Sequence, residues 1–118
     1  MEILLLMIQI LLGIAFILSG VAKFVAKPMA DEFIRYGYSS GFRKLTGFLE
    51  VAGAAAMIAG IWVTSPDAAL YAAILLVIVM VGAIYTHIKV KDPLGKSIAP
   101  LILLILSIVV LLDRINIL

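Results

Sequence analysis

Apolar positions in this 118-residue chain do not alternate with polar ones; they run on, and most of the charges gather in the breaks between four long runs. The runs cover residues 3–22, 45–63, 68–88 and 98–112. A hydrocarbon core about 30 Å thick is crossed by about 20 residues of α-helix rising about 1.5 Å each, so each of the first three runs is long enough to span. The fourth is short and reaches that length only by carrying Asp113 and Arg114 at its end or by thinning the bilayer locally. Lipid offers backbone amides no partners, which excludes open strands there, and the alternating short segments of a membrane barrel are absent. The pattern therefore predicts helices over about 3–26, 43–63, 68–89 and 98–115. Together they make one membrane domain over 1–118, an all-α integral membrane four-helix bundle. The first run follows Glu2 instead of a basic stretch and has no clear small-residue cleavage site, so it is expected to stay as a helix and not to be removed as a signal peptide.

The breaks carry their own patterns. Between the first two runs, Pro28 suits a helix start and Gly37 a helix end, while Met29, Phe33, Ile34 and Tyr36 alternate with Asp31, Glu32 and Arg35 at helical spacing. A short interfacial helix is expected over 29–36 between helices 1 and 2. Residues 64–67 predict a tight turn making the second and third helices antiparallel neighbours, with Trp62 and Tyr71 as interfacial anchors. In the first helix Gln9, Gly13, Phe16, Gly20 and Lys23 recur at spacings of four and three, the seam of a packed pair. The second has a row of small residues, Ala52, Ala56 and Gly60, that would allow close backbone approach. Gln9 and Ser107 are expected to hydrogen-bond between helices.

Composition agrees with the runs: 65% of residues are hydrophobic and 14% charged, with a mean hydropathy of +1.28. Charge adds an orientation. The break after the first run holds Lys23, Lys27, Arg35, Arg43 and Lys44, the break after the third holds Lys89, Lys91 and Lys96, and the other side has Arg114, a split of eight to one. Basic loops stay inside during insertion, which places both in the cytoplasm and both termini outside, in a bacterial-type plasma membrane. The pI of about 9.0 then reflects topology and anionic lipid and gives no support for nucleic-acid binding. With no cysteine the chain has no thiol chemistry and no iron–sulfur ligation. A single histidine, His87, does not supply two haem ligands, and His87 with Glu50 is too small a set for a metal site.

One position stands against the pattern. Glu50 is the sole charge between residues 45 and 63, about 10 Å into the membrane from the basic side at seven residues past Arg43. Lys23 and, one turn deeper, Ser19 end the first helix on that side, and Tyr85, Thr86 and His87 end the third. Thr46, Gly47, Gly53 and Ala54 surround Glu50 on its own helix, so its side chain is expected to face the helix packing instead of lipid. Ser19, Lys23, Glu50, Tyr85, Thr86 and His87 are thus the candidate ligand- or proton-binding residues. The alternative is a buried Lys23–Glu50 pair that only fixes helix register.

The segments SGVAK (19–23), LTGFLEVAGAAAMIAG (45–60) and VGAIYTHIKVKD (81–92), in that order, resemble the DoxX-like family of small four-helix membrane proteins over nearly the full chain. The resemblance implies a four-helix membrane fold whose polar signature maps onto Ser19, Lys23, Glu50, Thr86 and His87. It also implies an association with membrane redox systems, as a subunit accompanying quinone-linked oxidation of sulfur compounds or an oxidative-stress complex. It names no reaction, and whether the chain is an enzyme stays open. Three expectations follow. The first is a redox-associated accessory whose polar cluster binds a quinone headgroup or a small acid, with a quinone as diffusible cofactor, none held covalently, and a membrane redox partner or a second copy beside it in the bilayer. The second is a small proton-coupled transporter with Glu50 as coupling site. The third is a non-catalytic membrane scaffold.

Overall fold

The computed structural model describes residues 2–61 and 67–115, so the expected turn at 64–67, apart from Asp67 in α4, and the Trp62 anchor lie outside the described residues. It is all-helical, with α1 over Glu2–Val25, α2 over Lys27–Tyr36, α3 over Ser40–Ala59, α4 over Asp67–Lys89, a 3₁₀ turn over Leu94–Ser97 and α5 over Ile98–Arg114. Among the described residues there is no strand.

Local chemistry sets the helix ends near the basic loops. Pro28 occupies the first turn of α2, where its missing N–H goes unused. Gly37, at φ 85°, ends α2 in a left-handed turn in which Gly37 N donates to Ile34 O and Tyr38 N to Phe33 O. Ser39 then caps α3 by accepting from Phe42 N at 3.1 Å. Past α4 the same hydrogen-bond pattern returns without a glycine: Lys91 takes φ 60° while its N–H and that of Asp92 bond to Ile88 O and His87 O.

Four helices lie side by side, α1 on α3, α3 on α4, α4 on α5, with a thinner return contact from α5 to α1. Leu12, Phe16, Met57 and Leu76 fill the centre with Ala54, Ala69, Ala72 and Ala73. Outside, Leu4, Met7, Leu11, Ile14 and Leu18 form an exposed apolar stripe along α1. Among the described residues three segments are long and apolar enough to cross a membrane, Ile3–Val25, Asp67–Lys89 and Leu94–Arg114. The third includes the 3₁₀ turn, which extends the short fourth run to a spanning length. α3 is not among them, because Arg43, Lys44 and Glu50 fall within its 20 residues.

All five residues of the first-helix seam are buried; the early ones meet the end of α3 and the late ones its middle, so the two helices are antiparallel. Gln9 meets Met57, Gly13 meets Ala54 and Ile58, Gly20 meets Gly47, and Lys23 meets Glu50. The closest approach is backbone to backbone: a Cβ on Gly20 would lie 2.6 Å from Gly47 O, and one on Gly47 would lie 2.7 Å from Gly20 O. The row on α3 behaves differently from its sequence pattern. Ala52 is exposed and Gly60 packs on Ala69 of α4, so Gly47 and Gly53, not that row, carry the close contacts near Glu50.

Gln9 does bridge helices, accepting from Arg114 Nη2 at 2.8 Å across to α5. Ser107 does not; it is fully buried but donates to Leu103 O one turn back, the cheapest partner for a hydroxyl inside a helix.

Replacing Gly20 with Ala is expected to push α1 off α3 and lower the melting temperature in detergent by several degrees, since overfilling a packed contact costs about 1–3 kcal/mol. Gly82→Ala, where an added Cβ meets nothing within 4 Å, is expected to leave it unchanged or raised. Thermal unfolding followed by helical circular dichroism compares the two.

Candidate functional site

Glu50 and Lys23 meet because of how side chains leave a helix. Each lies three residues after the crossing glycine of its own helix, and side chains lean toward the helix N-terminus. In an antiparallel pair the two therefore converge over the crossing. Lys23 Nζ sits 2.7 Å from Glu50 Oε1, with the lysine side chain 10% and the glutamate 1% exposed. Ser19, one turn back along the lean of Lys23, accepts from Nζ at 2.9 Å. Arg43 holds the end of α1 in place by donating to Lys23 O at 2.8 Å.

The pairing is incomplete. Glu50 Oε2 is buried and has no hydrogen-bond partner among the described residues. An ammonium has three N–H groups, and among the described residues those of Lys23 find Ser19 and Glu50. Both residues line a cavity of about 730 Å³ to which every helix contributes, a volume within the roughly 300–1,000 Å³ of small-molecule sites. Ser19, Tyr85, Thr86 and His87 line it as well, so all six candidate residues border one space. They do not bond as one cluster. Thr86 donates to Gly82 O at 2.8 Å and so receives the Tyr38 hydroxyl at 2.9 Å, while Tyr85 is 61% exposed on the flank.

α2 closes the basic-loop end. Arg35 grips Asp92 with two bonds of 2.9 and 3.0 Å, Asp92 Oδ2 also meets His87 Nδ1 at 2.7 Å, and Glu32 takes Arg35 at 2.7 Å and the Tyr36 hydroxyl at 3.0 Å. Rings of Phe33, Tyr36, Tyr38 and His87 stand edge-on or tilted to one another 5.4–6.1 Å apart, and Phe42 lies 4.8 Å from Tyr38. The two left-handed turns deliver the tying side chains: Gly37 is followed by Tyr38, and Lys91 by Asp92.

These bonds shift the groups that make them. Arg35 and then His87 hold the Asp92 carboxyl down at about 2. Arg35 lowers Glu32 also, and burial followed by the Glu32 bond pushes the Tyr36 phenol up to about 12. Of this network the sequence offered only His87 as a candidate site residue, with Glu32, Phe33, Arg35 and Tyr36 read as faces of the interfacial helix. Tyr38, Arg35 and Asp92 sit in loops or on a surface helix, and the one local hint is the acid placed just past the end of a helix that closes with His87 and Lys89.

The profile of the DoxX-like family matches residues 7–110. A relative from Bacillus subtilis (strain 168), named uncharacterized protein YdgD, is 36% identical over 108 residues, covering 90% of this chain and 93% of the relative. No solved structure matches.

A carboxylate whose folded pKa is depressed adds stability above its unfolded value and loses it as pH falls through the folded one. The anchoring of α2 is therefore expected to be constant above about pH 5 and to fail between the ordinary value of 3.8 and about 2. Hydrogen exchange of α2 amides, corrected for the intrinsic rate, is expected to show this loss in the native chain, and Asp92→Asn to show weak protection already at pH 7.

Proposed function

The chain belongs to the DoxX-like family, and from that footing we propose that it is a membrane-embedded binding subunit for a neutral, quinone-type amphiphile, accessory to a membrane redox partner. The observation that carries the reading is the buried Glu50 Oε2 with no partner beside an ion-paired Lys23, both bordering a cavity of about 730 Å³. A structural lock has no need of unused bonding positions next to open space.

The pair also selects between the two ligand classes. Lys23 and Glu50 already neutralise each other at 2.7 Å. An anionic acid would have to draw Lys23 away and leave a buried carboxylate alone, and breaking such a pair costs about 3–5 kcal/mol. A neutral head that accepts or donates single hydrogen bonds leaves the pair intact. The same pairing weighs against a lone carboxylate cycling a proton in a transporter. The aromatic rings on the α2 side suit a flat head. Phe42, Leu45, Ile78 and Tyr85 line the cavity and are still 47–63% exposed, which supports access from the hydrocarbon side.

In this reading the four long helices form a membrane bundle with α3 as the fourth span, its charges at the interface and in the packing, and α2 lies along the interface. The eight-to-one distribution of basic residues supports a cytoplasmic site with both termini outside. Electrons leaving or reaching the ligand belong to a partner protein.

Purified protein in lipid nanodiscs, titrated with a short-tailed quinone and its hydroquinone, is expected to bind at least one form saturably. Ala83→Phe, which adds bulk at a lining position outside the ion pair, is expected to weaken that binding at least tenfold, about 1.4 kcal/mol, with the melting temperature held. Binding of neither form, or indifference of binding to Ala83→Phe, sinks the reading.

A further inference from the structure

The unused bonding positions can be counted, and the count is more specific than a general affinity for quinone-type heads. Among the described residues, Ser19 at 2.9 Å and Glu50 Oε1 at 2.7 Å take two of the three N–H groups of Lys23, which leaves one as an open donor. Glu50 offers Oε2, an acceptor, buried and without a partner. Glu50 and Lys23 both line the cavity, so the two open positions lie at its border. The open pair is therefore one donor beside one acceptor, on groups whose charges already cancel.

A hydroxyl is the smallest ligand group that meets both, donating its hydrogen to Oε2 while its oxygen accepts from Nζ. A ring carbonyl accepts from Nζ and has nothing to give Oε2, which stays buried and unpaired. From these facts we propose that the site is selective for redox state: it takes the hydroxyl-bearing hydroquinone form of its ligand in preference to the carbonyl-bearing quinone. This rests on the binding reading above and adds which form is held. It requires no chemistry on the chain itself; a ligand held reduced beside Lys23 and Glu50 is one presented to, or received from, the partner that exchanges its electrons.

The remaining lining agrees with a neutral, donating head. Lys96 and Glu32 are 3.8 Å apart at the α2 end, and Asp92 occupies His87 Nδ1 and the Arg35 guanidinium, so the charged groups there are engaged with one another. The main competitor for the two positions is a single bound water, which also donates and accepts. A water would serve a quinone and a hydroquinone alike, and so gives no selectivity.

The test compares four probes with the same short tail on the full chain in nanodiscs without oxygen: a hydroquinone, its quinone, its monomethyl ether and its dimethyl ether. The hydroquinone is expected to bind on the order of ten- to a hundredfold more tightly than the quinone and the dimethyl ether, the range set by leaving one buried acceptor unpaired. The monomethyl ether, which keeps one hydroxyl, is expected to fall within a few-fold of the hydroquinone. Glu50→Gln turns the open acceptor into a donor, so the order is expected to invert toward the quinone, an outcome that mere loss of packing does not produce. If that variant does not fold, the ether series on the native chain decides alone. Equal binding of quinone and hydroquinone, or tighter binding of the quinone, overturns the selectivity and leaves the binding reading standing. Binding of none of the four overturns both.

Discussion

Two opposite charges on α1 and α3 sit where almost no surface remains for water, and taken singly each would cost several kcal/mol to keep there. Everything near the basic-loop end is consistent with the need to hold them together. Gly20 and Gly47 bring the helix backbones into contact, and the contact sets the separation across which a lysine and a glutamate stem meet. The antiparallel course matters as much as the distance, since in a parallel pair the N-terminal lean would carry both side chains the same way instead of toward each other. Arg43 on Lys23 O and Ser19 on Lys23 Nζ then remove the freedom that would let the lysine extend outward along its stem to the surface.

A second polar system, that of Arg35, Asp92, His87 and Glu32, lies above the first and is separate from it in kind. It joins partly exposed Arg35 and Glu32 of the surface helix to His87 at the end of α4 and to Asp92, whose side chain is 5% exposed, in the turn that follows. Lys91 adopts a left-handed conformation that a residue with a Cβ normally avoids, at a cost of about 1–3 kcal/mol. The gain is local: the turn places Asp92 where Arg35 and His87 reach it at once. The inner pair thus fixes how two helices cross, and the outer one fixes what covers the space beside them.

What the sequence made legible follows this division. Long apolar runs locate long helices because backbone satisfaction in lipid leaves no alternative, and a helix runs over Lys27–Tyr36 where proline, glycine and amphipathic spacing point to one. Glu50 is conspicuous in any reading because it interrupts a run, and Lys23 and Ser19 are found from it by spacing alone. Tyr38, Arg35 and Asp92 are not conspicuous. A tyrosine after a glycine and an acid after a helix are ordinary loop residues until the fold sets them against α4, and no periodicity encodes that. The row Ala52, Ala56 and Gly60 holds only in part for a related reason, with Gly60 close against Ala69 and Ala52 exposed: small residues permit close approach on any face, and only the neighbour's position decides which face is used. Ser107 shows the same limit in a single side chain, since a buried hydroxyl is satisfied as well by its own helix as by another.

The size of the empty space is the last piece of this balance. A pair that served only to set register would be as stable with hydrophobic side chains packed tightly around it, and often more so. Here the surroundings go the other way. Gly82 and Ala83 withhold volume, Thr46 and Thr86 stand where larger apolar residues would fit, and a cavity of about 730 Å³ borders a glutamate whose Oε2 has no hydrogen-bond partner among the described residues. Unfilled volume costs packing energy and an unpaired buried acceptor adds its own desolvation penalty, so each is a loss to the fold. The two losses fall in one place and have one remedy, a molecule that occupies the volume and donates to the oxygen. That coincidence is the argument for the proposed binding site over a register lock at this pair.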